Sequence, residues 1–273
     1  MAKIPVRDEL FHAIENAKIY ETERPYLGMS SIGHPCDRYL FYAFHWAFEN
    51  YTFAQHRRLL DRGRLEEEVV IRDLSRAGIE VVLQQHEVSD DSKHLCGHID
   101  GIINEIQFLN IKKRILLEVK TMNSKSFKGY KKKGLQETNP EYYAQINQYM
   151  HYLKAEICLF IVTNKDNEER AYDWYEYDDQ NFRDYARRAT NLLMLDRLPE
   201  KIAGPTWFIC KMCRARSVCH FNAKIKNNCR TCQYIEIHNE GKWRCAFHNK
   251  WLPTQTQRLG CKDYELSRSF DNV

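Results

Sequence analysis

Six consecutive residues, Ile115-Leu116-Leu117-Glu118-Val119-Lys120, constrain this chain more than any other stretch. They read as a β-strand with a two-residue period. Ile115, Leu117 and Val119 point one way, and Leu116, Glu118 and Lys120 the other. A carboxylate and an ammonium thus interrupt a strand that looks buried, and charges there need a compensating partner. The preceding strand carries Gly97-His98-Ile99-Asp100-Gly101, with Asp100 among Ile99, Ile102 and Ile103. A hairpin through the polar segment 110–113 sets Asp100 beside Glu118. Two carboxylates at that distance repel unless a cation lies between them. Mg²⁺ or Mn²⁺ favours such oxygen ligands. A lysine two residues on can orient or deprotonate a water, or neutralise a phosphate. Alone, Glu-x-Lys is common and describes a surface ion pair; the apolar surroundings set this one apart.

The other elements place further candidates. Residues 56–77 read as a helix with Gly78 at its C-terminal end. Gly63, Glu67, Val70, Ile71 and Leu74 share one face, while Glu66 and Glu68 point elsewhere. Glu67 is then either a helix-edge carboxylate in water or a third ligand at the Asp100/Glu118 site. Residues 79–88, 95–104, 114–121, 156–163 and 171–177 read as strands. Residues 140–154 read as a helix, with Asn139 as N-cap and Pro140 in the first turn. On it Gln145 and Tyr149 lie four apart, near the face of Tyr142, Met150 and Leu153. Residues 179–197 read as another helix, and a turn at Ser30–Cys36 leads into a helical segment from Asp37.

The ten cysteines are clustered, seven of them between Cys210 and Cys261. The N-terminus is too charged for a signal peptide, and the longest apolar run, Ile157–Val162, is strand-sized. A cytoplasmic protein without a membrane span is expected, and in a reducing compartment clustered cysteines bind metal more often than they form disulfides. Cys210-x2-Cys213-x5-Cys219 is one tight set, with Cys36 far away in sequence. A [4Fe–4S] cluster, Zn²⁺ and free buried thiols all remain open for it. The second set is Cys229-x2-Cys232 and Cys245-x2-His248, followed by Cys261, a zinc-ribbon-like spacing. Zn²⁺ is expected there on Cys229, Cys232, Cys245 and Cys261, with His248 as the alternative to Cys261. Trp243 and Tyr264 would pack a minimal core around it. Cys96 and Cys158 read as core.

In chain order, Gly63-x3-Glu67, Gly97-His98-Ile99-Asp100-Gly101, Glu118-Val119-Lys120 and Gln145-x3-Tyr149 resemble the PD-(D/E)XK nuclease superfamily, in particular its RecB-like and phage-type exonuclease branch. The likeness spans roughly residues 30–220. It departs from the pattern in two places: Glu67 stands where many RecB-like members have His, and Ile99 where the superfamily usually has Pro. The resemblance implies a restriction-endonuclease-like α/β core, a central mixed sheet flanked by helices. It implies metal on Glu67, Asp100, Glu118 and the Val119 carbonyl, catalysis by Lys120, and Gln145 and Tyr149 in the site wall. The implied activity is a Mg²⁺- or Mn²⁺-dependent DNA exonuclease leaving 5′-phosphates, in phage or mobile-element recombination or repair, with a single-strand annealing protein as a candidate partner. Cys36, Cys210, Cys213 and Cys219 resemble the [4Fe–4S] ligands of AddB-type and CRISPR adaptation nucleases. The expected organisation is a nuclease core with an N-terminal helical segment (1–205), an iron–sulfur segment closing onto Cys36 (206–226) and a small zinc-binding module (227–273). Rival readings are a structure-specific endonuclease on the same core, a nucleic-acid-binding metal protein with a vestigial site, and a role in CRISPR adaptation.

Charge is consistent with a nucleic-acid partner without requiring one: 41 Lys+Arg against 37 Asp+Glu give +4. From Lys211 to Arg230 the chain has Lys211, Arg214, Arg216, Lys224, Lys226 and Arg230 and no acidic residue. A second run, Lys125, Lys128, Lys131, Lys132 and Lys133, follows the charged strand. Both are candidate phosphate contacts for a DNA end or single strand, with Arg38, Arg57 and Arg58 as weaker ones and Phe127 and Tyr130 as stacking surfaces. His34, His56 and His94 read as structural or surface residues.

Overall fold

The computed structural model describes residues 7–271. Its centre is a four-stranded mixed sheet in the order Gly101–Ile106, Ile111–Met122, Ile157–Asn164, Arg170–Glu176. The first pair is antiparallel, the middle pair parallel with Glu118 opposite Phe160, and the last pair antiparallel. The parallel pair needs a crossover, and helices Ser124–Lys133 and Pro140–Leu153 supply it.

The two-residue period then decides what lies on each face. Ile115, Leu117 and Val119 pack with Leu159 and Ile161 against Val70 and Leu74 of the long helix Ala54–Arg76. Leu116, Cys158, Phe160 and Val162 pack against Ile146, Tyr149 and Met150 on the opposite side. The central strand is therefore covered on both faces, which explains its nearly continuous apolar run. Cys158 and Cys96 are both buried.

The long helix ends at Arg76, and Gly78 beyond it takes φ +77°, the left-handed conformation glycine favours. Asn139 precedes the Pro140–Leu153 helix, but its side chain makes no capping bond. The helix expected over 179–197 stops at Leu193. Two strand expectations fail for identifiable reasons. Residues 79–88 do not form one strand: left-handed φ values at Leu83 and Gln85 break it, leaving a bridge at Val82 and a strand at Glu87–Ser89. Residues 95–104 split at Ile99–Asp100. Leu95–His98 joins a small sheet between Leu27–Gly28 and Glu87–Ser89, while Gly101–Ile106 joins the main sheet.

The C-terminal segment forms a three-stranded antiparallel sheet, Ile235–Ile237, Trp243–Cys245 and Lys250–Trp251. Trp243 reaches past it into the main core, packing with Phe44. Arg230, expected on a nucleic-acid surface, is 1% exposed instead. Its guanidinium lies 3.8 Å from the Trp46 ring centre and 4.1 Å from that of Trp243. It donates to the carbonyls of Phe44 and Pro25 and to Gln257.

Candidate active site

The break at Asp100 positions the site. Where the chain passes from the small sheet to the main one, Asp100 turns inward and its Oδ2 accepts the Val119 backbone N–H at 2.7 Å. Gly101, opposite Leu117, starts the hairpin that holds Asp100 at the level of Glu118. Glu118 is completely buried. One of its oxygens is shared by the Lys120 ammonium and Gln145 Nε2, the latter at 2.9 Å; the other, Oε2, has no hydrogen-bond partner. Lys120 also lies over the Tyr142 ring. Gln145 reaches Tyr149 Oη at 3.4 Å, one helical turn further on. Glu67 faces the same space and accepts from Gln85 Nε2 at 2.9 Å.

Glu67, Asp100, Gln145 and Tyr149 line an open cleft of ≈ 700 Å³ together with Arg24 and Arg64, and Glu118 lies behind it, joined to it through Gln145. Its electrostatics follow from burial and crowding of like charge. Burial, with Asp100 adding to it, pushes the Glu67 carboxyl up to about 7. Burial pushes Glu118 up to about 8, with Asp100 and Glu67 adding to the shift and Lys120 opposing it. Burial also raises Asp100, against Lys120 and the Val119 N–H. Burial alone would depress Lys120, but Glu118 and Asp100 hold it firmly protonated.

Gln85, Arg24 and Arg64 were missed from sequence. Gln85 reaches Glu67 from a residue with φ +54°, and no local pattern announces that conformation for a glutamine. The helical period misplaces two neighbours of Glu67: Glu66 is buried with Val70 and Leu74 and bound by Thr163 and Arg170, and Glu68 borders the cleft. Gly97 has a steric role: a Cβ there would lie 2.5 Å from Tyr149 Oη. Gly97→Ala should push the Tyr149 ring away from Gln145. Misplacing a site group by about 1 Å can cost about 100-fold, so cleavage should fall by roughly that factor. Removing the clash with Tyr149→Leu in the same chain should restore thermal stability. An unchanged melting temperature and rate in Gly97→Ala would refute this role.

Several proposed nucleic-acid contacts lie elsewhere. Phe127 and Tyr130 are buried and Tyr130 donates to Asp173, so neither ring is free to stack on bases. Arg38 is 6% exposed and donates to the Pro199 carbonyl, so it is no phosphate contact. Arg57 and Arg58 pair with Asp61, Glu21 and Glu15. Arg214 bonds Asn50 and the Tyr51 carbonyl, Arg216 lies over Phe221, and Lys226 pairs with Glu23. Lys125, Lys128 and Lys131 are exposed, with Lys131 paired to Glu169.

The structure gathers Cys36, Cys210, Cys213 and Cys219 around one small pocket walled by Tyr39, Tyr42 and Ile202. Cys36 caps the Asp37–Phe44 helix by accepting the Tyr39 N–H. Cys213 ends the short helix Phe208–Met212, and Cys219 sits in Arg216–His220. Burial and the neighbouring sulfurs raise the Cys36 thiol and push Cys213 up to about 11, with backbone N–H groups opposing. Among the described residues, no three of these sulfurs lie within 4.8 Å of one another.

No family model and no curated protein matches the chain. Its fold is similar to several solved structures. One is an alkaline exonuclease from Laribacter hongkongensis, 16% identical, covering 63% of this chain and 87% of that one with TM-score 0.44. Another is SSO0001, 17% identical, covering 73% and 88% with TM-score 0.44. A third is a phage-related exonuclease from Haemophilus somnus 129PT, 11% identical, covering 49% and 68% with TM-score 0.37. These likenesses are remote, so a function for the chain rests on the cleft itself.

Proposed function

We propose that the chain is a divalent-metal-dependent DNA exonuclease of PD-(D/E)XK type, acting on DNA ends in phage or mobile-element recombination or repair. The observation that carries this is Glu118, a fully buried carboxylate with one oxygen held by Lys120 and Gln145 and the other without a partner. With Glu67 and Asp100 ionised beside it, three negative charges face the single ammonium of Lys120. A dication bound by Glu67, Asp100, Glu118 and the Val119 carbonyl would neutralise that excess. When bound, the metal polarises the phosphate and lowers the pKa of a water. The chain supplies the rest. Lys120, fixed by Glu118 and the Tyr142 ring, is placed to orient the attacking water. Gln145 fixes the Glu118 rotamer, and Tyr149 walls the scissile position. Arg24 and Arg64 at the rim, with exposed Lys125 and Lys128, suit the flanking phosphates. Cys36, Cys210, Cys213 and Cys219, which line one pocket, are proposed to hold a [4Fe–4S] cluster, with Zn²⁺ as the alternative.

Incubation with linear and closed-circular DNA tests the activity. Mg²⁺- or Mn²⁺-dependent release of 5′-mononucleotides or short oligomers from linear DNA alone is expected. Nicking of the closed circle would favour the endonuclease reading, and binding without cleavage the vestigial one.

The raised carboxyl values set a pH dependence. A carboxyl whose folded pKa lies above its unfolded value opposes folding once it must ionise. The metal-free protein should therefore lose stability as pH rises from about 4.5 to about 8, the ordinary and folded values of Glu118. Divalent metal should reverse this loss above pH 7, because it binds the ionised carboxylates. Melting curves across this range with and without Mn²⁺ check it; an identical pH slope in both would refute the shared site.

A further inference from the structure

The C-terminal segment brings metal-ligating side chains together outside the nuclease cleft. His248 lies in the turn between the strands Trp243–Cys245 and Lys250–Trp251. Cys261 and Asp263 follow the short helix Thr254–Gln257. His248 Nε2 is 3.9 Å from Cys261 Sγ and 3.3 Å from Asp263 Oδ2, and the donor atoms of all three lie within 4.8 Å of one another. Zinc bonds of about 2.0–2.3 Å at tetrahedral angles set ligand atoms about 3.3–3.8 Å apart, so these separations suit one ion. The donor types narrow its identity. Nitrogen, thiolate and carboxylate are all zinc ligands, whereas Mg²⁺ takes oxygen. A plain His–Asp ion pair accounts for the nitrogen and the carboxylate but not for a thiol at the same point.

Cysteine spacing favours a different set, Cys229, Cys232, Cys245 and Cys261. All four thiols line one cavity of ≈ 350 Å³ with His248 and Asp263, and local hydrogen bonds tell them apart. Cys229 Sγ donates to the carbonyls of Leu259 at 3.2 Å and Thr256 at 3.6 Å. Two carbonyl oxygens against a sulfur favour the protonated thiol, and only the thiolate ligates metal. Cys245 Sγ accepts the His248 backbone N–H at 3.5 Å, which steadies the turn that presents the imidazole.

We propose that His248, Cys261 and Asp263 bind a single zinc ion. Three protein ligands leave the fourth position free for water or a further ligand from the cavity. The ion ties the turn at His248 to the segment that returns to the 3-10 turn Cys229–Thr231, where Tyr264 Oη lies 3.1 Å from Thr231 Oγ1. It is independent of the nuclease reading and of the metal held by the Cys36 set.

Zinc analysis and X-ray absorption at the zinc edge of the full-length chain test this. About one zinc ion per chain is expected, with one sulfur at about 2.3 Å and the rest of its shell nitrogen or oxygen at about 2.0–2.2 Å. His248→Ala and Asp263→Asn should each weaken zinc retention by about 100-fold or more, because even the outer partners of a ligand are worth about 10- to 100-fold. Cys229→Ser should leave the zinc in place. A shell of three or four sulfurs would overturn the proposal in favour of the thiolate set. Zinc retained equally by the His248→Ala and Asp263→Asn chains, or an unsubstituted chain that takes up none, would overturn it as well. If the Cys36 set holds zinc of its own, the average rises only to about 2.5 sulfurs per ion, and that second zinc stays in both variants. The spectrum of the unsubstituted chain decides even where a variant does not fold.

Discussion

Asp100→Asn should reduce metal-dependent cleavage on the order of 10³-fold while making the metal-free protein more stable. The two effects have one cause. Asp100 is 7% exposed, and its charge crowds Glu118 and Glu67. Replacing it with a neutral amide of the same shape keeps an acceptor for the Val119 N–H but removes one of three repelling charges. At pH 8 that relief should raise the metal-free melting temperature by roughly 2–4 °C, the equivalent of about 1 kcal/mol in a chain of this size. The same change removes a metal ligand, and the electrostatic assistance lost is several kcal/mol at about 1.4 kcal/mol per tenfold in rate. Lys120 should remain paired with Glu118, so the fold persists. A variant as active as the parent sinks the assignment of the cleft. A lower melting temperature in the metal-free variant would mean that Asp100 is there for structure alone.

Arg230→Ala should be among the most destabilising single changes in the chain. It empties the space between the Trp46 and Trp243 rings and leaves the Phe44 and Pro25 carbonyls and Gln257 without their donor. Each buried acceptor left without its donor costs about 1–3 kcal/mol, so a melting temperature lower by roughly 6–15 °C is expected. Arg230→Lys should recover little, because an ammonium cannot reproduce the planar fork that stacks and donates in three directions. The C-terminal segment should become the first region to exchange its amide hydrogens. A shift of under a degree or two, or exchange confined to the nuclease core, would refute the clasp.

The alternating strand around Glu118 was legible from sequence because a two-residue period fixes which side chains share a face. The long helix that faces it was legible in part through its own period: Val70 and Leu74 are buried as expected, but Glu66 is buried with them. Asp100 beside Glu118 followed from the hairpin, a local connection. Gln85, Arg24 and Arg64 were not legible: they reach the cleft through a left-handed turn and through contacts between distant segments. The basic stretch after Cys210 was misleading. Charge composition says nothing about burial, and Arg230 is held between two tryptophans from segments far apart in the chain.

The sequence by itself determined the faces of the central strand, the hairpin that pairs its carboxylates and the residue types available to each cysteine set, because each depends on near neighbours along the chain. Only the tertiary structure decided that Glu118 Oε2 is left without a partner, that Glu66 is buried with Val70 and Leu74 and bound by Thr163 and Arg170, and that Cys36 meets Cys210, Cys213 and Cys219 at one pocket. Those outcomes depend on side-chain packing between segments up to two hundred residues apart, where a few ångströms separate a ligand from a structural ion pair.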